Sequence, residues 1–271
     1  MKSSYYKYFA ALLLFGSNGI VASNINLPSY EIVLLRLLLG SLFLITVFTV
    51  SRQRFTFYRN KHTCLYLFIS ASAMGASWML LYEAYQQVGI SIASLAYYCG
   101  PVIVMILSPF LFRETLTWPK IAGFLTVLAG MCLVNLQALD EGKTIWGLFC
   151  GLMSAFMYAL MVTANKKAKP ESGLENSLLQ LVIGSFIVVA FVSMQKNFVL
   201  SLTTIDWIPV LLLGLLNTGI GCYLYFSSIT DLPVQTVAIC GYLEPLSAVV
   251  FSVLFLHEVL LPLQMLGAVL I

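Results

Sequence analysis

The sequence predicts an all-α integral membrane protein of ten transmembrane helices, arranged as two inverted five-helix repeats with the last helix truncated. Three observations carry this prediction. Of 271 residues only 9% are charged and 60% are apolar, with a mean hydropathy of +0.94, whereas soluble domains carry roughly 25% charge. Apolar runs of about 20 residues, enough to cross a hydrocarbon core of about 30 Å, recur along the chain. The chain also matches itself at a fixed offset.

The runs are taken in order. The first, 8–22, has Gly16, Ser17, Asn18 and Gly19 in its middle, which suits a helix packed against protein. Lys2 and Lys7 ahead of it, and Val21-Ala22-Ser23 behind it, also fit a cleaved signal peptide, but removing it would spoil the repeat. The second, 31–50, holds Arg36 about one and a half turns from its outer end. The third, 63–82, carries Trp78 and Tyr82, and the fourth, 92–112, carries Tyr97, Tyr98 and Pro101 before Arg113-Glu114. The fifth, 118–136, has no ionisable residue beyond Lys120. The sixth to ninth, 145–163, 176–194, 207–228 and 234–256, hold Tyr158, Gln180, Tyr223, and then Tyr242, Glu244 and Pro245. The tenth starts at 260 and is incomplete.

Basic residues fall on alternate sides of these spans. With the N-terminus inside, eleven lie on the cytoplasmic side: Lys2, Lys7, Arg52, Arg54, Arg59, Lys61, Arg113, Lys120, Lys166, Lys167 and Lys169. Lys143 and Lys196 lie outside. The positive-inside rule therefore places both termini in the cytoplasm, in a multi-pass protein of the cytoplasmic membrane. A net charge of +3 without a basic run argues against nucleic acid. The six cysteines fall inside apolar segments without CxxC spacing, so neither a disulfide framework nor a zinc site is indicated, and no cofactor is expected.

At an offset of 144, residues 34–41 match residues 178–185 at five of eight positions, including Gly40-Ser41 over Gly184-Ser185. Gly75 meets Gly219, Tyr98 meets Tyr242, Pro101 meets Pro245, Ser108 meets Ser252, Glu114 meets Glu258 and Gly123 meets Gly267. Five spans per copy is an odd number, so the second copy enters the membrane upside down. Inverted repeats are the recurrent architecture of secondary transporters.

The stretch from Gly89 through Tyr98, Gly100-Pro101, Arg113-Glu114, Lys120 and Gly123 to Gly130, with its second version from Tyr242-Leu243-Glu244-Pro245 through His257-Glu258 to Gly267, resembles the paired signature of the drug/metabolite transporter superfamily, EamA branch. The resemblance covers nearly the whole chain and divides it into repeats 1–137 and 145–271. It implies that spans 1–4 and 6–9 surround a central cavity with 5 and 10 outside it, and that transport is efflux. By the repeat, the tenth span should reach residue 280, so its end at Ile271 reads as a truncation.

Glu244 is the most informative residue, because an acid deep in an apolar span is costly enough to suggest function. It can bind a substrate ammonium or take up a proton when the site empties; the structural alternative is a hydrogen bond to a neighbouring helix or to Arg36. Pro101 and Pro245 should free the carbonyls of Tyr97 and Gly241 for a solute, or serve as hinges, or simply bend the helices. Arg36 offers a group for a substrate carboxylate, against an ion pair with Glu83 or Glu244, or snorkelling. Gln180, its repeat partner, drops the charge. Trp78, Tyr82, Tyr97, Tyr98, Tyr158, Tyr223 and Tyr242 could line a cavity and stack on a solute, or pack between helices. Asn18 is either a cavity donor or helix-packing glue. Glu114 and Glu258 suggest a capping role common to both copies.

The leading expectation is a secondary transporter that exports amino acids or related small metabolites by alternating access, with the proton as a candidate coupling ion. The runner-up is a multidrug or quaternary-cation efflux pump using Glu244 and the aromatic rings. A membrane-embedded lipid-modifying enzyme would need clustered His, Asp or Glu, and the acids here are isolated, so the reading is not an enzyme. The sequence leaves a homodimer open.

Overall fold

A computed structural model describes residues 2–134, 145–194, 207–255, 257 and 261–270, which are helical with no strand among them. The helices are α1 (Lys2–Gly16), α2 (Asn18–Ser23), α3 (Ser29–Val50), α4 (Lys61–Tyr97), α5 (Gly100–Phe112), α6 (Trp118–Val134), α7 (Ile145–Ala168), α8 (Gly173–Ser193), α9 (Trp207–Leu211), α10 (Gly221–Ile229), α11 (Val234–Cys240), α12 (Leu243–Phe255) and α13 (Pro262–Leu270). A π-helical segment, Leu212–Ile220, joins α9 to α10. Seven stretches are long and apolar enough to cross a membrane, and Trp118–Leu133 is a shorter apolar helix. The first expected span instead breaks at Ser17 into α1 and α2, and α13 has nine described residues.

Each break has a local cause. Gly89, at φ 79° and ψ 163°, turns the chain between the third and fourth spans, a backbone conformation that is cheap only for glycine. The fourth and ninth spans are interrupted at Tyr98-Cys99 and Gly241-Tyr242, repeat-related places just ahead of the prolines. This corrects the expectation of prolines inside continuous helices. Pro101 and Pro245 lie in the first turn of α5 and α12, where the missing N–H has no intrahelical partner to lose. The carbonyl of Gly241 is also not free, because the Glu244 amide donates to it at 3.2 Å.

Contacts repeat with the copies exchanged. Gly40 lies so close to Thr218 that an added Cβ would meet its Cγ2 at 2.9 Å, and a Cβ on Gly184 would meet Met74 Cε at 2.7 Å. These are the same contact shifted by 144. Two contacts join equivalent residues directly: Ser41 Oγ to Ser185 Oγ at 3.0 Å, and the Tyr242 hydroxyl to the Tyr98 carbonyl at 2.9 Å. Each copy reaches into the other, with α1 against α10 and α12, and α7 against α4 and α5, while α6 and α13 pack on each other.

The segments carrying the eleven basic residues are bonded together on one face. Ser4 donates to Asp231 at 2.8 Å. Lys166 Nζ donates to the carbonyls of Thr230 and Leu232 at 2.5 and 2.6 Å, filling acceptors that the end of α10 leaves open. Glu175 accepts from the amides of Thr56 and Phe57 at 2.5 and 2.9 Å. Glu114 accepts from the amides of Val234 and Gln235 at 2.7 and 3.0 Å, capping α11. The capping role expected of Glu114 is therefore exerted on a helix of the other copy; Glu258 lies outside the described residues.

Candidate functional site: a one-sided central cavity

A cavity of about 630 Å³ lies between the copies. Its lining includes Ala22, Ser23, Ile25, Leu27, Gln86 and Ser94, around the end of α3 opposite the basic face. The 22 residues of α3 separate the two faces by about 33 Å. Nineteen of the 26 lining residues precede residue 137. None comes from α6 or α13, as expected; none comes from α8 either, so the seventh span does not join this wall.

The interruption of the ninth span places Glu244 in the first turn of α12, beside the cavity. A helix N-terminus favours a negative charge. Among the described residues its carboxylate has neither a hydrogen bond nor an ion pair. Arg36, only 6% exposed, is held from two sides. Its Nε donates to Thr218 Oγ1 at 2.9 Å, and the guanidinium carbon stands 4.5 Å from the Trp78 ring centroid, a cation–π contact. The π-helical register sets this up, since Thr218 Oγ1 bonds back to the Leu213 carbonyl at 2.8 Å. The same segment presents Asn217, whose Nδ2 binds the Leu14 carbonyl, Ser17 Oγ and Asn18 Oδ1, each at 2.9 Å, and so fixes the break in the first span. Single π segments of this kind are frequent at functional sites.

The expected ion pairs of Arg36 do not form. Glu83 accepts instead from the Tyr30 hydroxyl, from Gln87 at 3.2 Å and from Trp146 Nε1 at 3.3 Å. The terminal guanidinium nitrogens of Arg36 make no hydrogen bond or ion pair among the described residues, so Arg36 and Glu244 face one cavity without a direct bond between them.

Asn18, Arg36, Trp78, Tyr82, Tyr97, Tyr98, Tyr158 and Glu244 all line this cavity. Tyr97 meets Tyr158 edge-on at 5.5 Å, and the Tyr158 hydroxyl lies 3.3 Å from that of Tyr225. Three candidates lie elsewhere. Gln180 is fully buried and donates to Ser70 Oγ at 2.9 Å. Tyr223 lies under Lys7 Nζ at 5.9 Å. Tyr242 is buried against Phe124, with its hydroxyl on the Tyr98 carbonyl. Residues not singled out from sequence, Phe15, Tyr85 and Tyr225, join the wall. Tyr85 was findable, because positions 78, 82 and 85 share one helical face.

A bundle of membrane-length helices, built from two matching copies around a largely apolar and aromatic cavity that carries Arg36 and Glu244, is the architecture of a membrane transporter. The sequence comparisons place it more narrowly: the EamA-like transporter family matches residues 3–136 and again 145–271. The chain belongs to that family. It is 27% identical over 256 residues to the uncharacterized transporter YxxF of Bacillus subtilis (strain 168), covering 92% of this chain and 80% of the relative. It is 27% identical over 234 residues to the threonine/homoserine exporter RhtA of Escherichia coli (strain K12), covering 86% and 76%. A solved crystal structure superposes with a TM-score of 0.82, covering 100% of this chain and 94% of its own at 16% identity, and so shares the fold.

Proposed function

We propose that the protein exports amino acids or closely related small metabolites across the cytoplasmic membrane by alternating access, with repeats 1–137 and 145–271 as the two halves and both termini in the cytoplasm. One observation carries this reading: Arg36 and Glu244 line the same cavity without an ion pair between them, in a wall that also carries aromatic rings. A solute bearing both a carboxylate and an ammonium answers both groups. The amino-acid exporter among the relatives supports the same class. With its mouth away from the basic face, this conformation corresponds to the outward-open state. Glu244 is the group through which a proton would couple to transport, since a carboxylate with no fixed partner can take a proton when the solute leaves.

The aromatic wall also favours a second reading, efflux of quaternary cations, which such rings attract. Arg36 weighs against it, because a guanidinium in the same cavity repels a solute that carries only positive charge. Proteoliposomes separate the two. Counterflow should be seen with labelled small neutral amino acids and not with a quaternary ammonium probe, and uphill movement should require a pH gradient. Transport of the quaternary cation alone would refute the amino-acid reading.

A further inference from the structure

A second cavity, of about 320 Å³, opens at the basic end of the molecule between the 56–63 segment of the first copy and the 167–175 segment of the second. Its wall includes Lys167, Lys169, His62, Asn60, Glu171 and Glu175. The two carboxylates do not cancel the two ammonium groups equally. Glu175 is already saturated, with one oxygen taking the amides of Thr56 and Phe57 and the other taking Thr56 Oγ1 at 2.6 Å. Glu171 is exposed. Lys167 Nζ stands 5.9 Å from the Tyr66 ring centroid, and neither lysine has a hydrogen bond or an ion pair among the described residues. Two uncommitted cations thus share a concave polar site, with Arg59 and Lys61 on the adjoining turn. One helical turn further along α4, Leu65 and Phe68 are 57% and 56% exposed, an apolar surface suited to acyl chains.

We propose that this cavity binds a phosphate group, with the headgroup of an anionic phospholipid in the basic-side leaflet as one source and free phosphate as the other. Basic pockets between transmembrane helices on that side suit such headgroups. The ligand bridges the two copies at the closed face and holds that seam shut, so it stabilises the state described here.

The test uses the full chain in phosphatidylcholine nanodiscs, with and without phosphatidylglycerol, read by thermal unfolding and by retained lipid in native mass spectrometry. Phosphatidylglycerol should raise Tm. Lys167→Gln with Lys169→Gln should weaken that effect about thirtyfold in apparent affinity, from two surface lysine contacts of ordinary strength. Lys167→Arg with Lys169→Arg should keep it, which guards against a mere folding defect. Lys2→Gln with Lys7→Gln removes the same charge from the same face and should leave it unchanged. Inorganic phosphate added to phosphatidylcholine nanodiscs should protect in the same lysine-dependent way if the source is soluble, and should have no effect if the source is lipid. If the Lys2/Lys7 pair costs as much as the Lys167/Lys169 pair, or if neither ligand stabilises the protein, the site does not exist.

Discussion

Replacing Glu114 with alanine should loosen the closed face by an amount that can be worked from two hydrogen bonds. The carboxylate caps α11 across the boundary between the copies, accepting from Val234 N at 2.7 Å and Gln235 N at 3.0 Å, and both of these residues are 1% exposed. First-turn amides have no acceptor within their own helix, so the alanine variant leaves two buried donors unpaired while the face is shut. Hydrogen bonds to a charged group contribute about 1.5–3 kcal/mol each. Water that reaches the amides offsets part of the loss, leaving about 3 kcal/mol, or roughly a hundredfold in the ratio of open to closed states. The assay is hydrogen–deuterium exchange in nanodiscs, following peptides that span 229–240. These two amides should exchange about a hundredfold faster in Glu114→Ala, and Glu114→Asp should lie between. Exchange at the wild-type rate would refute the claim that this contact holds the face closed.

The central cavity gives further expectations. Glu244→Gln should abolish uphill transport driven by a pH gradient while sparing solute exchange if the residue carries only the proton, and should lose both if it also binds the ammonium; wild-type rates and pH dependence would make the residue structural. Arg36→Lys keeps the charge but loses the planar fork, so KM for a zwitterionic solute should rise about tenfold, the loss of one charge-assisted bond, with expression unchanged; an unaltered KM would remove Arg36 from the site. Gly16→Ala places a Cβ 1.9 Å from Ser247 Oγ and 2.9 Å from the Glu244 carbonyl, an overpacking that costs about 1–3 kcal/mol and should lower Tm measurably. Tyr225→Phe should change solute affinity and Tyr223→Phe should not, measured by counterflow; the reverse order would mean that the cavity wall is wrongly assigned.

The run lengths, the offset of 144 and the two lone charges Arg36 and Glu244 were legible because lipid makes each of them expensive to place by accident. Helix faces were not. An α-helix turns about 100° per residue, so Tyr223 and Tyr225 point to nearly opposite sides, and a span that is apolar all round gives no stripe to tell them apart. Gln180 is the repeat partner of Arg36, but pairing by repeat does not fix the environment, and Ser70 takes its donor instead. The helix breaks were half readable: the prolines marked the right turns, yet the interruptions sit just before them. Glu31 and Glu175 also stand 144 apart, a coincidence as rare as Glu114 with Glu258, and Glu175 turned out to anchor the 56–57 loop.

Ser41 and Ser185 touch although they are equivalent residues, and Tyr98 and Tyr242 do the same. Exchanging the copies maps each of these residue pairs onto itself, whereas a pair such as Glu114 with Gln235 maps elsewhere; the Ser41–Ser185 bond joins like atoms, but the Tyr242 hydroxyl on the Tyr98 carbonyl would become the Tyr98 hydroxyl on the Tyr242 carbonyl. Under the proposed alternating access, the Ser41–Ser185 contact is therefore a fulcrum that stays bonded, while the tyrosine bond has to reverse its direction. A hydrogen bond between two hydroxyls has one donor and one acceptor, so Ser41 and Ser185 cannot be fully alike at any instant. A covalent tie between positions 41 and 185 should therefore leave the proposed rocking motion free, while a tie across the basic face should arrest it.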